Sequence, residues 1–100
     1  MVKHIILWNL KEEYSDEKKQ QIKCDIKANL EGLKGQISGL LEIKVQTECL
    51  DSSNVDLMLD SSFEDEDALK TYATHPKHVY VADTFVRPHT QVRKCIDYLA

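Results

Sequence analysis

One tyrosine and two histidines lie close together in the segment from Tyr72 to His78. An imidazole exchanges a proton near neutral pH and a phenol donates a hydrogen bond, so these groups suit general acid–base chemistry. The same residues also allow a structural interpretation, in which Tyr72 fills the core, His75 begins a turn and His78 is exposed. The sequence alone leaves both interpretations open.

Two flanking patterns predict that this segment lies at a junction of helices. An acidic run that begins at Glu64 predicts a helix to about Ala73, because carboxylates favour the positive end of the helix dipole. His75 precedes a proline and is therefore disfavoured in a helical conformation. Pro76 suits the first position of a short third helix that extends to about Phe85. The reactive groups would then lie where one helix ends and the next begins.

The earlier elements follow from the apolar pattern. Val2 to Leu10 is rich in β-favouring residues and predicts the first strand. Ser15 is predicted to cap a first helix that stops near Gly32 and Gly35. The buried stripe of this helix is predicted from four apolar residues at helical spacing, namely Ile22, Ile26, Leu30 and Leu33.

Three more strands complete the predicted sheet. Apolar residues that alternate with polar ones predict the second strand, namely Leu41, Ile43 and Val45. The third strand is predicted over Val55 to Ser61, and the last over Val92 to Leu99. The resulting order, β-α-β-β-α-β, predicts an α+β protein with a ferredoxin-like fold in a single domain of residues 1–100.

The first strand has apolar residues on both faces of the predicted sheet. Ile5 and Leu7 point one way, and we expect them to pack beneath the helices. The residues expected on the uncovered face are Ile6, Trp8 and Leu10. A monomer rarely leaves such an apolar patch exposed, so the sequence predicts a homodimer in which two sheets face each other.

Composition narrows the expected partners and compartment. The formal net charge is −4 and no basic stripe occurs, so nucleic acid is not an expected partner. No apolar run approaches the ~20 residues of a membrane-spanning helix, so no membrane association is expected. The cysteines are odd in number and include no CxxC pair, which argues against a disulfide framework or a zinc site. This cysteine usage favours a reducing cytoplasm.

Two motifs occur together in this chain, Val-Lys-His over Val2 to His4 and Tyr-x-x-His-Pro-x-His over Tyr72 to His78. With the apolar pattern between them, they resemble the stress-responsive A/B barrel family, also called Dabb, along the whole chain. Ser38 departs from the family pattern, which usually has a proline before the glycine. The resemblance implies a ferredoxin-like protomer that forms a dimeric α/β barrel with its helices outside.

The resemblance also implies a site. One plant member of the family, olivetolic acid cyclase, closes a polyketide ring by an aldol step. At the matching positions of this chain, His78 would be the catalytic base, Tyr72 its hydrogen-bonding partner and His4 a pocket residue. Other members are stress proteins or have no assigned reaction. The resemblance therefore leaves open whether this chain is an enzyme.

Three functions are consistent with these residues. The preferred hypothesis is a protein that binds a small hydrophobic ligand in a barrel pocket without turnover. The first alternative is a polyketide cyclase-like enzyme that uses His78 and Tyr72, and the second is a haem or aromatic oxygenase of the related dimeric barrel class. The predicted pocket residues are His4, Ile6, Trp8, Leu57, His75 and Phe85.

The side chains predict no cofactor. His75 and His78 lack the i, i+4 spacing of a helical metal-binding pair. Some relatives hold Mg²⁺ with main-chain carbonyls after the first helix, and the resemblance implies Lys34, Ile37 and Leu40 at those positions. Carbonyl oxygens suit a hard cation, so magnesium is the one cofactor that the resemblance implies.

Overall fold

The first helix begins at the residue that its capping chemistry predicts. In the computed structural model, which describes all residues from Met1 to Ala100, the Ser15 hydroxyl accepts a hydrogen bond from the Lys18 amide at 3.2 Å. The helix follows over Asp16–Glu31. Its buried stripe contains three of the four predicted residues, namely Ile22, Ile26 and Leu30. The fourth, Leu33, is buried just beyond the end of the helix.

The chain folds into four strands and three main helices. In chain order they are β1 (Val2–Leu10), α1 (Asp16–Glu31), β2 (Leu40–Gln46), β3 (Leu57–Phe63), α2 (Glu66–Thr74), α3 (Pro76–Val81) and β4 (Thr90–Leu99). The strands form one sheet in the order β2-β3-β1-β4, and every neighbouring pair is antiparallel. This is the ferredoxin-like arrangement that the sequence predicts.

The third helix is shorter than predicted and continues as two irregular turns. After Val81, residues Ala82–Val86 form a π-helical turn, and Arg87–His89 form a 3₁₀ turn that leads into β4. Single π-helical turns occur frequently at functional sites. None of the helices combines the length and the apolar character that crossing a membrane requires.

The two faces of β1 are the reverse of the prediction. The helices cover the face that was predicted to be open, and its buried residues include Ile6, Trp8 and Leu10. Ile5 and Leu7 are half-buried on the opposite face, which no helix covers. Lys3 and Asn9 share this uncovered face, and a face that carries a lysine and an asparagine is the one that water can reach. The prediction was wrong because it followed the apolar residues of the strand and gave no weight to Lys3 and Asn9, which mark the face that water reaches.

The uncovered face of the sheet is nevertheless apolar in part. Antiparallel pairing places Ile5 opposite Ile96, so both side chains lie on this face. The side chain of Ile96 is 60% exposed, and two further β4 residues on the same face are also exposed, namely Val92 and Tyr98. The sheet therefore presents an apolar outer surface, but on residues other than those predicted.

A bulge in β2 changes one predicted position. Leu40 pairs with Phe63 and Glu42 pairs with Ser62, so Leu41 has no partner between them. Because of this extra residue, Leu40 is buried and Leu41 is exposed. The predicted alternation was wrong at Leu41, while the two later apolar positions of the strand are buried as predicted.

The loop before β2 fixes the start of α2. Gly39 has a φ of +85°, and a Cβ at this residue would lie 2.5 Å from the Cβ of Ala68 on α2. Both the left-handed conformation and the close approach require glycine. The Gly39 carbonyl also accepts a hydrogen bond from the Glu64 amide at 3.0 Å. This contact holds one end of α2, whose other end carries Tyr72.

Candidate functional site

His75 joins α2 to α3 and determines how the two helices meet. It is the C-cap of α2 and the N-cap of α3, with the extended conformation expected before a proline. Its Nδ1 accepts a hydrogen bond from the Lys77 amide at 3.1 Å. The junction brings Tyr72 of α2 against His78 of α3, with ring centroids 4.1 Å apart and an interplanar angle of 34°.

Tyr72 contributes a buried hydroxyl that no other group of the protein hydrogen-bonds. The residue is 1% exposed, and its ring contacts Phe63 and His4 at centroid distances of 4.9 and 6.2 Å. Burial raises the pKa of the Tyr72 hydroxyl well above its ordinary range. The group therefore stays protonated and is a permanent hydrogen-bond donor.

His78 presents one free ring nitrogen. Its Nδ1 donates a hydrogen bond to the Ala73 carbonyl at 3.3 Å, so the lone pair of the neutral ring lies on Nε2. Partial burial lowers the pKa of this imidazole, and the nearby side chains of Arg87, His4 and Arg93 lower it further. His78 is therefore a neutral imidazole at pH 7, with Nε2 as a base.

The stacked pair lines a cavity of about 160 Å³ between the sheet and α3. Its apolar walls come from Ile6, Trp8, Leu30, Leu59, Leu69, Ala73, Ala82 and Val86. The polar groups that line it are His4, Tyr72, His78, Arg87, Thr90 and Arg93. An apolar cavity with a few polar groups is typical of a small-molecule site.

A larger groove of about 680 Å³ between α2 and β4 adjoins the cavity. The groove and the cavity share four lining residues, namely His4, Leu69, Ala73 and Arg93. The cavity and the groove therefore lie side by side, and we call the two together the central cleft.

Five of the predicted site residues meet in the cavity, namely His4, Ile6, Trp8, Tyr72 and His78. Three other predicted residues, namely Leu57, His75 and Phe85, do not line the cavity. Leu57 is fully buried opposite Trp8 in the sheet, so it has no surface left for a ligand. His75 is engaged in the cap of α3, and Phe85 packs against the Tyr80 ring at a centroid distance of 6.2 Å.

Two arginines line the cavity, although neither was among the predicted pocket residues. Arg87 belongs to the 3₁₀ turn and pairs with Asp83, whereas Arg93 lies opposite Trp8 in the sheet and forms no ion pair. Only the register between β1 and β4 identifies Arg93 as a residue on the helix-covered face. Arg93 therefore adds positive charge to the cavity, where the Tyr72 hydroxyl is also suited to an electron-rich group such as a carbonyl oxygen.

The loop in which the resemblance implies a magnesium site has features that favour a bound cation and one that opposes it. Gly35 has a φ of +84°, which turns the chain between Lys34 and Ile37. The Ile37 carbonyl accepts a hydrogen bond from the Leu40 amide at 3.3 Å, which leaves it one further lone pair. The Lys34 ammonium pairs with Glu42 at 2.9 Å, so its charge lies beside a carboxylate. The magnesium site stays a prediction.

The lowered pKa of His78 predicts a pH-dependent contribution to stability. Below the ordinary value of 6.5, the unfolded chain binds a proton at this residue more readily than the native protein does. The free energy of unfolding should therefore fall as the pH is lowered through this window. His78→Gln keeps a side-chain donor for the Ala73 carbonyl but cannot titrate, so its stability should fall less.

Chemical denaturation at about pH 7 and about pH 5 measures this difference. Tyr80→Phe is the control, because it changes an exposed side chain of α3 and leaves every histidine in place. We expect the control to lose as much stability on acidification as the native sequence does. An equal loss in His78→Gln would show that this imidazole is not held in its neutral form by the fold.

Comparison with known proteins gives a family and a fold. The sequence pattern of the stress responsive A/B barrel domain family matches residues 2–100 of the chain. No protein with a curated functional description matches it.

Several solved structures are similar to this chain along nearly its whole length. A dimeric protein of unknown function and ferredoxin-like fold from Bacteroides fragilis is 32% identical, covers 97% of this chain and 93% of its own, and has a TM-score of 0.90. A Dabb family protein from Mesorhizobium loti is 20% identical over 99% and 95% of the two chains, with a TM-score of 0.76. Hydroxynitrile lyase from Passiflora edulis is 20% identical over 97% and 90%, with a TM-score of 0.72. The last two likenesses concern the fold alone.

Proposed function

The chain belongs to the stress responsive A/B barrel domain family, and from that premise we propose that it binds a small, largely apolar molecule that carries a carbonyl group. The observation that carries this proposal is the buried Tyr72 hydroxyl, which lines the cavity and has no hydrogen-bond partner. Leaving such a donor unpaired costs about 1–3 kcal/mol. A bound carbonyl oxygen recovers that free energy.

The walls of the cavity support the same ligand class. Ile6, Trp8 and Leu59 offer apolar surface from the sheet, which favours an aliphatic or aromatic body. A volume of about 160 Å³ is small compared with drug-sized sites of about 300–1,000 Å³. The cavity therefore favours a single-ring compound.

The protein binds this ligand as a homodimer. The uncovered face of the sheet carries an apolar set that water would otherwise meet, namely Ile5, Leu7, Met58, Val92, Ile96 and Tyr98. Pairing two such faces around a two-fold axis buries the set and gives the barrel with helices outside. The relative from Bacteroides fragilis, which is described as dimeric, supports this assembly.

Acetophenone and α-methylstyrene test the ligand proposal, because they share a shape and differ in a carbonyl oxygen. We expect acetophenone to bind about 10-fold more tightly, since only its oxygen accepts a hydrogen bond from Tyr72. Tyr72→Phe should remove this preference. The indole N–H of Trp8, the only tryptophan and a cavity residue, gives one isolated NMR signal that reports binding.

Tyr80→Phe is the matched control for this experiment. Tyr80 is 62% exposed on α3, so the change removes a phenolic oxygen outside the cavity. The control should keep the preference for acetophenone. Equal affinities of the two compounds for the native sequence would contradict the proposal, and so would an unaltered preference in Tyr72→Phe.

Proton transfer next to the bound carbonyl is a second candidate function. The observation in its favour is the free Nε2 of His78, beside the Tyr72 ring and on a neutral imidazole. His78 would remove a proton from the carbon next to the carbonyl, and Tyr72 would donate to the oxygen as it gains charge. A cyclase or a lyase could both use this step, and the relation to olivetolic acid cyclase stays a prediction.

The remaining expectations have tests of their own. The oxygenase alternative would be removed by a haem titration that gives no Soret band. Mg²⁺ at the carbonyls of Lys34, Ile37 and Leu40 would appear in a high-resolution crystal structure as an ion with six oxygen ligands in octahedral geometry, at distances of about 2.1 Å. A cytoplasmic location also stays a prediction, which imaging of the tagged protein would test.

A further inference from the structure

Three potential metal ligands from two neighbouring strands meet on the helix-covered face of the sheet. His4 on β1 is directly opposite Asp97 on β4, and Cys95 lies two residues before Asp97 on the same face. All three line the groove that adjoins the cavity. The positions of these residues in the sequence do not indicate the cluster, because only the pairing of β1 with β4 brings residue 4 next to residues 95 and 97.

The donor atoms of these side chains converge. The Cys95 Sγ lies 3.7 Å from His4 Nδ1 and 3.6 Å from an Asp97 carboxylate oxygen. The same oxygen and His4 Nδ1 are hydrogen-bonded to each other. All three donor atoms lie within 4.8 Å of one another. No other group of three or more His, Cys, Asp or Glu donors converges in this way.

We propose that His4, Cys95 and Asp97 form a binding site for Zn²⁺ or a similar thiol-binding divalent transition metal. Tetrahedral zinc with bonds of about 2.0 Å to nitrogen and about 2.3 Å to sulfur separates those two donors by about 3.5 Å. The sulfur and nitrogen are already close to that separation. The carboxylate oxygen must move about 1 Å away from the imidazole to reach its tetrahedral position.

The exposure of the ligands allows this adjustment. His4 is buried and held by the sheet, so it provides a fixed donor, whereas Asp97 and Cys95 are exposed and their side chains can rotate. When the ion binds, the hydrogen bond between His4 Nδ1 and the Asp97 carboxylate is replaced by one bond from each of these atoms to the metal. The thiol proton of Cys95 passes to solvent as the thiolate binds the ion, and the proton between His4 Nδ1 and Asp97 must leave as well, so that the neutral ring binds the ion as its Nε2–H tautomer.

The charges of the set also suit a divalent ion. One thiolate and one carboxylate balance two positive charges, so the loaded site is neutral next to Arg93 and Lys70, which line the same groove. Three protein ligands leave the fourth position of a tetrahedral ion open toward the groove. Such a site takes water or an oxygen of a ligand, and this proposal does not depend on the ketone site at Tyr72.

Cobalt(II) is the probe for this site, because a thiolate ligand gives it an intense near-ultraviolet absorption that carboxylate and imidazole ligands do not. We expect the native protein under reducing conditions to bind one Co²⁺ per chain with this band, and Zn²⁺ to displace it. Because only three side chains hold the ion, each contributes a large part of the binding free energy. Cys95→Ser should therefore weaken Zn²⁺ binding about 100-fold and abolish the band. Asp97→Asn should also weaken binding and keep the band.

Cys24→Ser and Cys49→Ser are matched controls, because both replace exposed free cysteines away from the groove. Both should bind as the native sequence does. The far-ultraviolet circular dichroism of every variant confirms that it is folded. No thiolate band in the native protein, or a band that survives in Cys95→Ser, would overturn the proposal.

Discussion

Replacing Ile96 by aspartate is expected to convert the proposed homodimer into a monomer of 11.5 kDa. Ile96 lies opposite Ile5 in the sheet, on the face that no helix covers, and its side chain is 60% exposed in the single chain. A charge at this position therefore disturbs the folded protomer little. In the dimer, the same carboxylate would be buried between two sheets without a partner.

The two-fold symmetry doubles this effect, because one substitution introduces two buried charges. With at least about 2 kcal/mol for each charge, the dissociation constant of the dimer should rise about 1000-fold. Leu50→Asp is the matched control, since Leu50 is 80% exposed in a loop. Sedimentation analysis at micromolar concentration measures the mass of each protein. A native sequence that sediments as a monomer would contradict the account, as would a control that dissociates equally.

His78→Gln is expected to slow the exchange of the methyl hydrogens of acetophenone for solvent deuterium by about 100-fold, at the lower end of the range for a general base. Exchange requires a base that removes the proton and returns a deuteron, and the neutral Nε2 of His78 is suited to both steps. Glutamine keeps a donor for the Ala73 carbonyl but has no basic nitrogen. NMR integration of the methyl signal in D₂O gives the rate.

The control for this experiment separates catalysis from folding. His89→Gln replaces a histidine that is hydrogen-bonded to Tyr14 and does not line the cavity, and it should keep most of the exchange rate. Tyr72→Phe should slow exchange as well, because the enolate oxygen loses its donor. If the native protein does not accelerate exchange above buffer, proton transfer at this site is excluded for acetophenone, and binding remains as the function to test.

Local chemistry made much of the fold predictable from the sequence. Ser15 could be identified as a helix cap because a hydroxyl side chain directly before an acidic first turn is typical of an N-cap, where its oxygen accepts a hydrogen bond from a free amide of the helix. His75 could be identified as a junction because a residue before proline leaves the helical region. The sequence also identified Tyr72 and His78 as candidate site residues, and the junction brings their rings into contact.

Long-range geometry explains what the sequence could not give. The strand β1 has apolar residues on both faces, and only the packing of the helices decides that Ile6 is buried and Ile5 is not. Arg93 and Asp97 enter the cleft through their register with β1, which no local pattern encodes. Leu57 was predicted in the pocket from its apolar character alone, but it is buried beneath other residues of the core.

A crystal structure of the protein with acetophenone would test the ligand proposal most directly. We predict that the ketone lies in the cavity, with its oxygen about 3 Å from the Tyr72 hydroxyl and its methyl group toward Nε2 of His78. A ketone bound outside the cavity, or one inside it whose oxygen points away from Tyr72, would contradict the account.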